Sequence, residues 1–416
     1  MSNHEPLRDA LRDHADRLGD TSPLTLDDVK GRAKGIRRRR LAVSGLAAAA
    51  VLAVAVPAGI TVSQGIGGRP DSGPAASPSV TPTKDASETP EPSPAPEGPA
   101  HVTLTTEVEA GSYEPGIPYL YDGAIVRPDG SEVPVDADYT AVAALGDGWV
   151  ASRTDENGYA FVDLLDADGT VTASKPSTGS LAVSQDGTVV AYATPDGELM
   201  TVVPDSAPLQ LVDPEALPGG LLQPVAVIGS DSCLENSAGG GCAVFLNSQG
   251  EQRAAYSATA HGIVGELPGL LTVAGLSPDG SLSGLVSASD GGSCSQVLGR
   301  DWETAWQTCD YTLGQFSPDG RYVIGRPAYL DGSGDSSVGI LDARTGELLA
   351  EYTNSEEHPA IINNVVWDED GTLLATVYEN DAWSLMRMTA DGQLTSVSNL
   401  IDGPMEDAPL RFSTRP

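Results

Sequence analysis

The sequence predicts an all-β exterior, a β-propeller with seven blades favoured and six or eight as alternatives, preceded by a single transmembrane helix and a proline-rich linker. Three observations predict it. An Asp-Gly turn between short apolar strands recurs through the C-terminal three quarters of the chain, and a second set of turns is interleaved with it. Ahead of both, four arginines (Arg37, Arg38, Arg39 and Arg40) open a stretch with no further charged residue until Arg69. The resulting boundaries are a cytoplasmic basic arm over 1–40, a transmembrane helix over 41–62, a disordered linker over 63–100 and an extracellular propeller over 101–416.

The arm carries ten Lys/Arg against seven Asp/Glu. Leu7, Leu11 and Leu18 recur at helical spacing, and Thr25 is placed to cap a second helix bearing Leu26, Val29, Ala33 and Ile36. Such a stripe has no core of its own to bury against, so it points to a partner or to the membrane surface. The arm holds no cluster of Cys and His for zinc. The 22 residues from Leu41 to Val62 would span about 33 Å as a helix, which matches bilayer hydrocarbon. Basic residues crowd only the N-terminal flank, which places the arm in the cytoplasm and the rest outside. A cleaved export signal is the competing reading, but a polar leader of this length is long for one.

Composition changes abruptly at Arg69. Nine of the 32 residues from Arg69 to Ala100 are proline, mixed with Ser, Thr, Ala and Glu. That tract cannot bury a core and favours an extended path of about 100 Å at ~3.1 Å per residue.

The repeats follow. The first turn is carried by AVSQDGTVVAY, GLSPDGSLSGL, QFSPDGRYVIG and VWDEDGTLLAT, with Gly148, Gly187, Gly280, Gly320 and Gly371 stepping by 39, 93, 40 and 51 residues. The step of 93 is two periods with a degenerate copy near Gly229–Asp231. The second turn is carried by IVRPDGSEVPV, LLDADGTVTAS, FLNSQGEQRAA, ILDARTGELLA and RMTADGQLTSV. Asp-Gly is a strong reverse-turn signal because glycine takes positive φ without steric cost. Two turns per period of about 40–50 residues give four strands, the arithmetic of a propeller blade. The hairpin at 125–135 lacks partners, and PLRFST (409–414) with HVTLTTEV (101–108) is expected to complete it, which would leave no open edge.

Residues 41–416 carry 13 Lys/Arg against 51 Asp/Glu. This argues against nucleic acid as a partner, since phosphates would be repelled. All four cysteines lie in the exterior, and an even count in an oxidising compartment favours disulfides. Cys294 and Cys309 flank a turn near Arg300–Asp301–Trp302, while Cys233 and Cys242 bracket LENSAGGG, so local pairing is expected. The spacings lack a CxxC knuckle, which argues against zinc.

The SPDG and LDARTGEL phrases resemble TolB-like and WD-repeat-like propellers of bacterial exported proteins. With the arginine-rich arm, the alanine-rich span and the proline-rich stalk, the whole resembles actinobacterial single-pass membrane proteins with propeller ectodomains. The strict GH…WD pair of eukaryotic repeats is absent. The resemblance implies a fold and not an activity, because propellers host binding scaffolds and many unrelated enzymes.

No GxSxG, HExxH, SxxK or P-loop occurs, and the five histidines are scattered. No catalytic residue or cofactor is nominated. LDADGT and WDEDGT resemble fragments of a calcium loop, but tight turns ask for the same residues. The weak calcium candidates are Asp331 and Asp335 in YLDGSGDSS. The connections 231–242, 287–293, 329–337 and 353–359 are expected to gather on the face opposite the Gly turns. The expected function is therefore a membrane-anchored binding module for an envelope or extracellular protein, peptide or glycan, with the arm reporting through the membrane. An envelope hydrolase or lyase, or a structural envelope protein, are the alternatives.

Overall fold

The computed structural model describes residues 98–412 apart from 109, 231–241, 250–252, 261, 263, 290–291 and 330–334. The arm, the span with its arginines, the linker up to residue 97, Cys233 and Asp331 lie outside the described residues. Among the described residues, no helix is long and apolar enough to cross a membrane.

The described strands pair into seven separate sheets, one per blade, and the four strands of each blade are antiparallel. Blade 1 comprises Tyr139–Leu145, Gly148–Thr154, Ala160–Leu165 and Val171–Pro176. Blade 2 comprises Leu181–Val183, Val190–Ala193, Leu199–Val202 and Leu209–Gln210. Blade 3 comprises Leu221–Ile228, Ala243–Gln249, Arg253–Thr259 and Val264–Glu266. Blade 4 comprises Thr272–Leu276, Leu282–Ser289, Gly292–Leu298 and Thr304–Thr308. Blade 5 comprises Tyr311–Phe316, Tyr322–Pro327, Ser337–Asp342 and Leu348–Thr353. Blade 6 comprises Ile361–Trp367, Leu373–Glu379, Ala382–Met388 and Leu394–Ser396. Blade 7 takes its first strand, Leu410–Phe412, from the C-terminus and adds Tyr119–Tyr121, Ala124–Val126 and Glu132–Pro134. Seven blades is the favoured count.

The C-terminal strand therefore closes the ring as expected, but its partner is not HVTLTTEV. Tyr119 lies opposite Phe412 and Tyr121 opposite Leu410. Asp122 and Gly123, at φ +47° and +74°, turn this strand directly into the next, a two-residue hairpin that needs little loop closure. The strand Ala100–Thr103 instead runs parallel to Leu348–Thr353 as a fifth strand on the outer edge of blade 5. FLNSQGEQRAA also departs from expectation, joining the second and third strands of blade 3 rather than the third and fourth.

Each blade packs both faces against its neighbours, which is why its middle strands read as near-continuous apolar runs and not as an alternation. Leu373–Val377 and Val338–Leu341 are buried throughout. Between blades 5 and 6 the core joins Ile340, Tyr352, Val365, Trp367, Leu373 and Met386. Within a blade, where strands approach closely, glycine is sometimes obligatory. A Cβ on Gly284 would fall 2.2 Å from the Thr272 carbonyl oxygen and 2.9 Å from Leu270.

Connections between first and second strands, and between third and fourth, emerge on one face, here the turn face. The remaining connections form the loop face. Cys294, on the third strand of blade 4, bonds Cys309, just after the fourth, with Cα atoms 4.0 Å apart. Cys242 is also disulfide-bonded.

Candidate functional site

The expected gathering of the four connections on one face holds for three of them and fails for one. The ends of the 229–242 connection follow the first strand of blade 3 and precede its second, which puts them on the turn face. Most of 287–293 is not loop at all, since Ser287, Ala288 and Ser289 pair with Cys294, Ser293 and Gly292 in a tight hairpin. The 287–293 hairpin, which joins the second and third strands of blade 4, falls on the loop face as expected, as do 329–337 and 353–359.

The first strands of the blades line a central channel. At the turn face the channel opens as a cavity of about 460 Å³. Its floor is apolar, formed by Val183, Leu276, Phe316 and Trp367, each at the end of a first strand. Its rim is polar, and among the described lining residues Asp186 and Glu369 are the two acidic side chains and none is Lys or Arg. The rim is rigid because each turn closes on itself. Ser184 Oγ donates to Asp186 at 2.6 Å, and Ser317 Oγ donates to Asp319 at 2.7 Å. Asp186, Asp279 and Asp319 then accept backbone N–H bonds two residues on, from Thr188, Ser281 and Arg321. Burial alone would raise the Asp186 and Asp319 carboxyls, but these donors outweigh it and hold both below the usual carboxylate range. Trp367 is fixed by its indole N–H, which donates to the Gln315 carbonyl at 2.9 Å.

Turn chemistry also accounts for LDADGT, where Asp166 accepts from the N–H groups of Asp168 and Thr170. WDEDGT behaves differently. Asp370 does the turn's work, accepting from Thr372 and pairing with Arg387 at 2.9 Å. Asp368 is fully buried and accepts from the Gly116 N–H at 2.9 Å and from the Tyr113 hydroxyl. Burial and that carboxylate push the Tyr113 phenol upward. The signal was legible: the corresponding position is serine in SQDG and both SPDG turns. A carboxylate there exceeds what the turn needs.

At the loop face the channel holds a second cavity of about 460 Å³, bordered by Thr140, Thr312, Asn364, Phe412 and Arg326. Asp335, offered to calcium on sequence grounds, is buried and pairs through Oδ2 with Arg326 Nη1 at 3.2 Å. Its backbone exchanges two hydrogen bonds with Ile362, so it sits at a strand junction and not in an open loop. Desolvation holds its carboxyl above the ordinary range despite Arg326. Among the described residues, no three His, Cys, Asp or Glu side chains are grouped to hold a metal ion.

The two described histidines are both paired with glutamates. His101 Nδ1 lies 3.3 Å from Glu351, and His358 Nδ1 lies 3.1 Å from Glu379. Glu379 is one of the residues that sequence reasoning missed. At 2 % exposure it accepts from the Thr106 N–H at 2.6 Å, the Thr106 hydroxyl at 2.8 Å and the Thr105 hydroxyl at 3.1 Å.

No family model matches the chain, and no curated protein matches it. Among solved structures it is similar to the β-propeller domain of Myceliophteria thermophila Cps50 (Swd1), at 12 % identity and a TM-score of 0.45, over 69 % of this chain and 90 % of that one. At that distance the likeness carries no argument about function, and the ring of seven blades rests on the strand pairing.

Proposed function

We propose that this protein is a membrane-anchored, extracytoplasmic binding module whose propeller takes a positively charged segment of a protein or peptide at the turn-face mouth of its channel. The cavity itself carries this reading. It combines an apolar floor, which rewards burial of a side-chain stem, with a rim whose charged residues among those described, Asp186 and Glu369, are both acidic. The excess of Asp and Glu over residues 41–416 adds long-range attraction for such a ligand. The anchoring half of the proposal is supported by Arg37–Arg40 followed by the uncharged 41–62 stretch. The cysteines support an oxidising exterior compartment. In this reading the propeller performs no chemistry, and the arm at 1–40 reports occupancy through the membrane.

The test immobilises the full chain and offers three fluorescein-labelled decapeptides at ~0.15 M salt: one Lys/Arg-rich, one Asp/Glu-rich and one uncharged. A polysaccharide panel runs alongside. Selective retention of the basic peptide is expected, with at least a tenfold loss in an Asp186→Lys, Glu369→Lys variant. Equal retention of all three, or an unaffected variant, rejects the mouth as the site. Protease digestion of intact cells tests location, since cleavage confined to the C-terminal region supports the stated topology and full protection refutes it.

A further inference from the structure

The chain enters the described domain at the outer edge of the ring and reaches blade 7 only after crossing blades 5 and 6. Besides the Gly111 N–H bond to the Ser396 carbonyl at 2.7 Å, three grips hold it on the way. First, Ala100–Thr103 pairs in parallel with blade 5, from Ala100 opposite Ala350 to Thr103 opposite Thr353, and the Leu104 N–H continues the ladder to the Thr353 carbonyl at 2.8 Å. Second, on the loop face, Glu379 at the end of a blade 6 strand takes the backbone and hydroxyl donors of Thr106 and the hydroxyl of Thr105. Third, the segment returns to the turn face, where Asp368 holds Gly116 and Tyr113, and the Arg387 guanidinium lies 4.3 Å over the Tyr113 ring. Leu104 and Ile117, near the two ends of this path, are completely buried.

The two carboxylates make this more than an edge contact. A buried carboxylate is costly unless hydrogen-bonded. The donors that satisfy these two come largely from the N-terminal segment, with His358 and the Glu369 N–H as the blade's own contribution. Blade 6 therefore needs the segment as much as the segment needs blade 6. The third grip also adjoins the channel mouth. Pro118, two residues after Gly116, lines the cavity, as do Trp367 and Glu369 on either side of Asp368.

We propose that residues 98–118 form a load-bearing strap, which takes any pull on the N-terminal part of the chain at the Glu379 and Asp368 grips and delivers it to the channel mouth. All force arriving from residues before Gly98 must pass through this segment by covalent continuity. A pull directed away from the turn face opposes the direction of Ala100–Thr103 and loads its ladder in shear, so the bonds share the force. The inference uses the tethered half of the proposed function and is independent of the ligand.

The test applies constant force to the full chain between a handle at the N-terminus and a second on Asn157→Cys, in an exposed turn of blade 1. A first extension of about 70 Å is expected, the contour of some twenty residues at ~3.4 Å each, before a larger opening of the ring. Glu379→Gln and Asp368→Asn should each speed the first step at least tenfold. Thr106→Val removes one hydroxyl donor while leaving the carboxylate and the backbone bond, so it answers the question if either carboxylate variant fails to fold. It should speed the step at least threefold. A single step that opens the whole ring, or variants within the scatter of the parent, overturns the strap. Delivery to the mouth is read separately by hydrogen exchange. Asp368→Asn should raise exchange at 315–319 and 366–372 at least fivefold with blades 2 and 3 unchanged, and unchanged exchange at the mouth overturns that part. Loss of peptide binding in the earlier test would leave these readouts unaffected, so the two proposals fail separately.

Discussion

The Trp367 indole donates its N–H across the blade boundary to the Gln315 carbonyl, and its ring stacks on Tyr322 at 6.1 Å. One side chain thus joins blade 6 to blade 5 and floors the channel mouth. Trp367→Phe keeps an aromatic ring but gives up the bond to the part-buried Gln315 carbonyl and leaves a void. A loss of about 2–4 kcal/mol is expected from these two effects. Urea denaturation of the oxidised protein measures it, and an unchanged midpoint would show that the contact contributes nothing.

The Cys294–Cys309 bridge closes a loop with a sequence separation of 15 across one hairpin. Loop-closure entropy predicts about 3 kcal/mol of stabilisation for a loop of this size. The double Cys294→Ser, Cys309→Ser variant should lose that amount in urea while retaining its far-ultraviolet β spectrum. Retained stability would mean that the paired strands alone fix the hairpin.

Gly284 and Gly219 separate packing from conformation, since neither takes a positive φ. A Cβ at Gly284 collides with the Thr272 carbonyl, whereas one at Gly219 meets nothing within 4 Å. Gly284→Ala should cost upward of about 2 kcal/mol through backbone displacement. Gly219→Ala should fall between neutral and a gain of about 1 kcal/mol. Thermal melts of the two variants, run side by side, decide the comparison.

Acid should loosen the fold. Burial favours protonation of Glu379, but the donors from Thr106, Thr105 and His358 prevail and hold its carboxyl below the ordinary range. Asp186, Asp279, Asp319 and Asp370 are lowered by the same competition. A depressed carboxylate contributes stability that is full above its unfolded pKa of about 4 and lost as pH falls through the folded value. Asp335 has the opposite sign, because its raised carboxyl withdraws stability as pH climbs through the folded value. Asp129, Asp155 and Asp342 are lowered too, so with eight carboxyls opposing one, urea midpoints should fall from pH 6 to pH 3, and Glu379→Gln should flatten part of that slope. A flat profile in the parent would contradict the assignment.

The fold was legible because its Asp-Gly turns are local, and a local turn needs no knowledge of distant residues. The closing blade was only half legible. Leu410–Phe412 could be proposed from position alone, but Tyr119–Tyr121 is three residues long and its Asp122–Gly123 turn went unweighted beside a longer candidate strand. The candidate site was harder to see, for a physical reason. Glu379 and Thr106 are 273 residues apart, and Asp368 and Tyr113 are 255 apart. No periodicity connects such partners. A surplus carboxylate such as Asp368, placed where sibling repeats use serine, marks a position whose partner lies elsewhere without naming it. The Arg326–Asp335 pair was hidden for a different reason, since a glycine-rich spacing suggested an open loop where a strand junction exists.

Ring closure through Leu410–Phe412 sets an order of events during synthesis. The other three strands of blade 7 are made before blade 1, yet the strand that borders them on the channel side follows all six of the other blades in the chain. Until then the nascent chain exposes Leu120 and Ile125 on a three-stranded remnant with an unpaired edge. Such an intermediate is open to proteases and to pairing with another chain. Whatever machinery handles this protein before release must shield that remnant through the making of nearly the whole ring. A ribosome that stops short of Leu410 would deliver six blades that have no way to close.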